Sequence, residues 1–80
     1  MFQIFYSKNA LKFLKRQDKA TQKRIICAIE KLPLEGDIQK LQGTIGYRLR
    51  VGTFRVIFDM NGIIIHIIDI GNRSQIYKGV

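Results

Sequence analysis

The first half of the chain shows a β-type run followed by two stretches with a helical period. Residues 2–6 form a short, aromatic-rich run that is typical of a strand. Ser7 and Asp18 each stand where a helix N-cap is expected, and Pro33 marks the end of the second helix. The apolar face of that helix comprises Thr21, Ile25, Ala28, Ile29 and Leu32. The pattern therefore predicts one strand and a helical hairpin.

The second half of the chain changes to the period of two that strands show. Residues 34–46 are rich in glycine and are interpreted as an irregular crossing segment. Beyond them, the β-type runs 47–51 and 54–59 are separated by Gly52-Thr53, which suits a two-residue type II′ turn. Asn61-Gly62 separates the second run from the apolar run that follows. Two tight hairpins in succession predict a three-stranded antiparallel meander.

These elements together predict the architecture. The order is β-α-α-β-β-β, an α+β fold in which the helical hairpin packs on one face of a small, mainly antiparallel four-stranded sheet. The chain has 80 residues without repeats or Pro/Gly-rich linkers, so residues 1–80 are expected to form a single domain.

Turn geometry assigns the strand residues to the two faces of the sheet. If the first turn is a two-residue loop, Arg50 lies directly opposite Arg55. The same rule in the second hairpin places His66 opposite Ile57. The face predicted to pack on the helices comprises Tyr47, Leu49, Val51, Phe54, Val56, Phe58, Ile63, Ile65 and Ile67. The opposite face comprises Arg48, Arg50, Arg55, Ile57, His66 and Ile68, with Asp59 as its one acid, near the far end.

Charge decides how that second face is interpreted. The sequence has 14 Lys and Arg residues against 6 Asp and Glu, and a formal net charge of +8 favours a polyanionic partner. Nucleic acid is the commonest such partner, although acidic proteins and anionic membranes also satisfy the charge. Because like charges opposite one another destabilise a sheet, three arginines on one face indicate an anion site rather than a merely solvated basic surface.

The remaining chemistry of the sequence bears on its compartment. Cys27 is the single cysteine, so no internal disulfide forms, and no Cys/His cluster offers a zinc site. A reducing environment is therefore favoured. No signal peptide is visible, and the longest apolar run, residues 63–70, is too short to span a bilayer. We expect a cytoplasmic protein that needs no membrane, metal or cofactor.

Three segments carry a family resemblance. They are Leu41-Gln42-Gly43, the run from Tyr47 to Val56, and the run from Ile70 to Tyr77. With the amino-terminal strand and helices, they make essentially the whole chain similar to the RelE branch of the RelE/ParE toxin superfamily. The resemblance implies an mRNA interferase, a ribosome-dependent endoribonuclease that cuts messenger RNA in the A site of the 30S subunit. It also implies a cognate antitoxin that silences the toxin.

The resemblance further implies which residues form the site. Those implied to bind RNA are Arg48, Arg50 and Arg55, and those implied to form the catalytic set are Arg50, Arg55, Arg73 and Tyr77. Cleavage would proceed by metal-independent attack of the 2′-OH. The best-known relative has lysines in place of Arg48 and Arg50, and arginine does not readily lose a proton. The identity of the general base therefore stays open: either Arg50 acts purely electrostatically, or Tyr77 or the ribosome supplies the base.

Two other functions stay open in the sequence. The ParE branch shares the fold but inhibits DNA gyrase, although its members generally lack the full arginine and tyrosine set. A non-catalytic RNA- or ribosome-binding module would use the basic face only to hold phosphates. His66 likewise has two interpretations, an acid–base residue on the arginine face or a packed, hydrogen-bonded strand residue.

Overall fold

Two helices cover one face of a mixed β-sheet. The computed structural model describes residues 2–43 and 46–72. Its elements are β1 (Gln3–Tyr6), α1 (Lys8–Lys15), α2 (Lys19–Glu30), β2 (Asp37–Lys40), β3 (Tyr47–Val51), β4 (Phe54–Asn61) and β5 (Ile64–Asn72). The strand order in the five-stranded sheet is β1-β5-β4-β3-β2, with β1 parallel to β5 and the other neighbours antiparallel. The predicted α+β class and helical pair are confirmed.

Both predicted helix N-caps are confirmed. The Ser7 hydroxyl accepts a hydrogen bond from the Ala10 N–H at 3.1 Å, and Asp18 Oδ1 accepts one from the Thr21 N–H at 2.9 Å. Hydrogen bonds from the Thr21 side chain and backbone hold the pKa of the Asp18 carboxyl below its usual value. Each cap satisfies a backbone donor that the first helical turn leaves without an intrahelical partner. Among the described residues, no helix has the length and apolar character needed to cross a membrane.

The hydrophobic core lies between the helices and the inner face of the sheet, the face turned toward them. It comprises Ala10, Leu14, Ile25, Ile29, Leu32, Leu49, Val51, Val56, Phe58, Ile65, Ile67 and Ile70. Phe58 is fully buried and stacks on Tyr47 with ring centroids 5.4 Å apart. The predicted core face is therefore confirmed for the first hairpin and for Ile65 and Ile67.

The sheet has one strand more than the sequence predicts. Residues 34–46 were expected to be irregular, whereas β2 pairs along β3 with Asp37 opposite Arg50 and Lys40 opposite Tyr47. Ile38 is the one apolar side chain of β2 and packs against the core. A four-residue edge strand with a single inward side chain shows no period-two pattern. The prediction of a four-stranded sheet is therefore wrong, because it omits this edge strand.

The second hairpin turns one residue later than predicted. Its loop residues are Gly62 and Ile63, with Asn61 paired to Ile64, so the predicted Asn61-Gly62 loop is wrong. Gly62 has a φ of +61°, and no non-glycine residue in the described ranges has a positive φ. A type I′ turn at Asn61-Gly62 needs positive φ at both residues, whereas a type II′ turn needs it only at the leading glycine. Ile63 consequently lies exposed in the turn rather than in the core.

A β-bulge then changes the register of the second hairpin. Phe58 lies opposite Ile67, but its neighbour Ile57 lies opposite Asp69, so Ile68 has no Cα partner on β4. The extra residue reverses which face the rest of β5 presents. It also brings Ile70 into the core. The predicted pair Ile57–His66 is therefore wrong, because Ile57 lies opposite Asp69.

One hydroxyl joins the bulge to the first helix. Ser7 donates a hydrogen bond to the carbonyl oxygen of Ile68 while accepting from the Ala10 N–H. We expect Ser7→Ala to lower the free energy of unfolding by about 0.5–2 kcal/mol, because the helix loses its cap and the carbonyl its donor. Urea denaturation measures the change. Ser7→Thr keeps the hydroxyl and should lose much less, and an equal loss in both variants would contradict this role.

Candidate functional site

The outer face of the sheet, turned away from the helices, carries the arginines that the first hairpin was predicted to align. Arg50 lies opposite Arg55, and Arg48 lies opposite Ile57, so the predicted register of this hairpin is confirmed. Gly52 leads the connecting turn with a φ of +60°, as a type II′ turn requires. Alternation along β3 and β4 therefore puts the three guanidinium-bearing residues on two adjacent cross-strand rows of one face.

The three arginines differ in their exposure to solvent. Arg50 is exposed, whereas the Arg48 side chain is partly buried, with Nη2 3.9 Å from Asp37 Oδ1. Arg55 is only 4 % exposed. The three arginines therefore range from a solvated cation, Arg50 on β3, to a buried cation, Arg55 on the central strand β4. Electrostatic attraction for an anion is strongest where water is excluded, which is at Arg55.

Arg55 is held in place by the turn that precedes it. Its Nη1 donates to the carbonyl oxygens of Gly52 at 3.2 Å and Phe54 at 3.0 Å. Its Nε–H is buried and has no hydrogen-bond partner within the described part of the chain. A buried donor without a partner costs roughly 1–3 kcal/mol, and more when it belongs to a charged group. An anion that accepts from Arg55 would remove this penalty, so the geometry suits a preorganised anion donor.

The bulge in β5 changes the neighbours of these arginines. Asp69 lies opposite Ile57, on the same cross-strand row as Arg48, and Gly71 lies opposite Arg55. The prediction of Asp59 as the one acid of this face is therefore wrong. Asp69 Oδ1 accepts a hydrogen bond from the Ile70 N–H at 2.9 Å. The outer face thus combines cations on β3 and β4 with carboxylates on β2, β4 and β5.

His66 lies away from the arginine rows. Its cross-strand neighbours are Asp59 on β4 and Phe5 on β1, rather than Ile57, and it is exposed rather than packed. An open concavity of about 420 Å³ at this end of the outer face is lined by Phe5, Asp59, Met60, Asn61, Ile64 and His66. The described residues contain no group of three His, Cys, Asp or Glu side chains that could hold a metal ion.

Two predicted site residues, Arg73 and Tyr77, lie outside the described residues. β5 is described as far as Asn72, which pairs with Phe54 beside the Arg55–Gly71 pair. The described strand therefore ends one residue before Arg73 in sequence, opposite Phe54. The roles of Arg73 and Tyr77 stay predictions.

Sequence reasoning missed one basic residue near this site. Arg24 lies on α2, outside the apolar face predicted for that helix, and its guanidinium lies against Gly52 of the Gly52-Thr53 turn. A Cβ built on Gly52 would stand only 2.7 Å from Arg24 Nη2. The turn is therefore contacted by Arg24 from α2 and by Arg55 from β4. No sequence pattern indicates this, because the two segments are nearly thirty residues apart in the chain.

Two helices packed on one face of a mixed five-stranded sheet match the RelE-like class of toxin folds. The model of the family described as "ParE toxin of type II toxin-antitoxin system, parDE" matches residues 4–77. The chain therefore belongs to the ParE toxin family of type II toxin–antitoxin systems, within the RelE/ParE superfamily, and it is of the RelE type. No curated protein sequence matches it significantly.

Solved structures with the same fold include antitoxin-bound toxins from archaea. The RelB–RelE antitoxin–toxin complex of Methanococcus jannaschii is 32 % identical over 94 % of this chain and 96 % of that one, with a TM-score of 0.77. The RelE–RelB complex of Pyrococcus horikoshii OT3 is 28 % identical over 92 % and 97 %, with a TM-score of 0.75. YafQ of E. coli, at 17 % identity over 96 % and 99 % and a TM-score of 0.70, shows the shared fold alone.

Proposed function

We propose that this toxin is a metal-independent endoribonuclease that cuts messenger RNA in the ribosomal A site. The observation that carries the proposal is the buried Arg55, whose Nε–H lacks a partner in the described ranges while Nη1 is held by the turn. A phosphoryl group accepts hydrogen bonds from an arginine fork in a bidentate manner. Arg48 and Arg50 on the same face supply further positive charge for the RNA backbone.

The proposed reaction needs no group from outside the RNA except a base and an acid. The 2′-oxygen attacks the adjacent phosphorus and loses its proton to a base. The bond from phosphorus to the 5′-oxygen breaks, and that oxygen takes up a proton, leaving a 2′,3′-cyclic phosphate. Catalysis then rests on aligning the attack and on neutralising charge that develops on the phosphoryl oxygens.

Each predicted site residue has a role in this reaction. Arg55 and Arg73 stabilise the phosphoryl oxygens, and Arg73 also donates a hydrogen bond to the leaving 5′-oxygen, which takes up its proton from solvent. Arg48 and Arg50 hold the RNA backbone, and Tyr77 stacks on a base or orients the 2′-hydroxyl. Arginine stays protonated, so the base is Tyr77 or a group of the ribosome, with Arg50 acting electrostatically.

A cognate antitoxin is the expected protein partner, since the family belongs to type II toxin–antitoxin systems. The archaeal RelE proteins with this fold were solved with RelB antitoxins. We expect the antitoxin to neutralise this toxin by covering the outer face, because this face carries the arginines of the site. Toxin, antitoxin and ribosome would meet in the cytoplasm.

Primer extension on a defined message tests the nuclease directly. The message is held in a ribosome with an empty A site, with and without the toxin. We expect cuts inside the A-site codon that disappear with Arg73→Ala and with Tyr77→Ala, while both variants still bind the ribosome. Arg16→Ala, which removes an exposed arginine at the end of α1, is the matched control and should cut like the parent. Inhibition by all variants without any cut would instead indicate a non-catalytic ribosome-binding module.

A second candidate function follows from the family model, which carries the ParE name. A ParE-like activity would inhibit DNA gyrase and leave messages intact. A supercoiling assay with purified gyrase separates the two functions: we expect no inhibition at toxin concentrations that give complete A-site cleavage. Gyrase inhibition together with an intact message would overturn the nuclease proposal.

A further inference from the structure

A groove runs between α2 and the end of β3, beside the outer face but not part of it. It holds about 400 Å³, and its lining includes Arg24, Lys31 and Arg50 together with Cys27, Glu35 and Leu49. Arg50 belongs both to this groove and to the arginine cluster of the outer face. The groove is therefore continuous with the proposed cleavage site through one shared residue.

The charges that line the groove are predominantly positive. Arg24, Lys31 and Arg50 are all exposed, and Glu35 is the one carboxylate among the lining residues that the structure describes. Within the described ranges, none of these three cations has a carboxylate oxygen within 4.0 Å, since the ion pair formed there joins Arg48 to Asp37. Three solvated cations around one concavity favour an anionic ligand that spans several charges.

The turn between β3 and β4 joins the groove to the outer face. The Arg24 guanidinium lies against Gly52 from the side of α2, and Arg55 donates to the Gly52 carbonyl. A side chain at Gly52 would collide with Arg24 Nη2, at 2.7 Å from the Cβ. The absence of a side chain at this position therefore leaves room for Arg24 to reach the turn. Positive charge then continues from the outer face, around the turn, to α2.

We propose that the groove binds a second stretch of RNA phosphate backbone, with Arg24 and Lys31 as the contacting residues. This inference rests on the proposed function, which places RNA at Arg50 and Arg55. RNA is favoured over an acidic protein because the groove shares Arg50 with the site where the scissile strand is held. Arg24 donates to phosphate through a planar fork, whereas Lys31 contributes a point charge. Neither residue touches the scissile phosphate, so both act on binding.

The salt dependence of binding to an uncleavable RNA tests this groove. The probe is a fluorescent 12-nucleotide RNA in which every 2′-hydroxyl is methylated, so binding is measured apart from cleavage. Each phosphate contact adds about 0.7 to the slope of log affinity against log salt for a single strand. We expect Arg24→Ala with Lys31→Ala to lower this slope by about 1.4. Arg24→Lys with Lys31→Ala keeps the charge at position 24 and should restore about half of that loss.

The control is Lys12→Ala, which removes an exposed lysine from α1, the helix packed over β5 rather than β3. It should keep the parental slope. The groove proposal would be overturned if the double variant, with an unchanged melting temperature, showed the same slope as the parent and the Lys12→Ala control. It would also be overturned if the groove bound a deca-glutamate peptide but not the RNA probe, since the groove would then dock an acidic protein.

The outcomes separate the groove from the proposed nuclease. If the parental toxin cuts the A-site codon and the double variant binds RNA normally, the nuclease proposal stands and the groove proposal is overturned. If the parental toxin binds RNA through the groove but leaves messages intact, the groove proposal stands and the nuclease proposal is overturned. Parental toxin that neither binds the RNA probe nor cuts the A-site codon overturns both.

Discussion

Replacement of Arg55 by alanine is expected to lower the rate of message cleavage by about 10²- to 10³-fold, the usual loss for one preorganised donor to a transition-state oxyanion. The expectation follows from burial: Arg55 is 4 % exposed and already held by the carbonyls of Gly52 and Phe54. Little reorganisation is then needed when charge develops on the phosphoryl oxygens. The measurement is single-turnover primer extension with saturating ribosomes.

Two further variants separate this role from support of the turn. Arg55→Lys keeps a positive charge but loses the planar fork, so it should bind RNA and still cut slowly. Arg16→Ala removes an exposed arginine outside the arginine cluster and should cut at the parental rate. Melting temperatures establish that each variant is folded. If a folded Arg55→Ala variant cuts as fast as the parent, Arg55 supports only the turn and takes no part in cleavage.

Phe58→Ala is expected to lower the free energy of unfolding by about 3–5 kcal/mol, the usual cost of removing a buried phenylalanine. Phe58 is 0 % exposed, stacks on Tyr47 and lies opposite Ile67 in the centre of the sheet. Because whole domains are stable by only about 5–15 kcal/mol, this one change would remove much of the total. Urea denaturation followed by circular dichroism gives the difference.

Phe5→Ala is the matched control for Phe58→Ala. Phe5 lies in the same sheet but is 52 % exposed on the outer face. Its removal leaves no buried cavity, so the loss should stay below about 1 kcal/mol, in the range of surface substitutions. Comparable losses at the two positions would contradict the placement of the core on the helix side alone.

The first hairpin shows how much local sequence determines. Gly52-Thr53 specifies a two-residue turn, and that turn alone sets Arg50 opposite Arg55 and Arg48 opposite Ile57. The rule works because strand pairing next to a tight turn follows from counting outward from the turn. Ser7 and Asp18 were predicted as helix caps for a similar reason, since a cap acts over three residues.

The second hairpin shows where the same rule fails. Asn61-Gly62 favours a type I′ turn in isolation, yet the chain turns at Gly62-Ile63 and adds a bulge at Ile68. This register buries Ile65, Ile67 and Ile70 against the helices and leaves Ile63 exposed. Core packing sums many favourable contacts, whereas two turn types differ only slightly in local free energy. Packing therefore decided the register. As a result Asp69, and not the predicted His66, lies opposite Ile57 beside the arginines.

By itself, the sequence determined the α+β class, the helix caps, the face of the first hairpin and the arginines on it, because each depends on a period or a turn of a few residues. The tertiary structure alone decided the edge strand β2, the bulge and the burial of Arg55. It also decided the approach of Arg24 to Gly52. These four features depend on contacts between segments distant in the chain, and such contacts leave no periodic signal in the residues that make them.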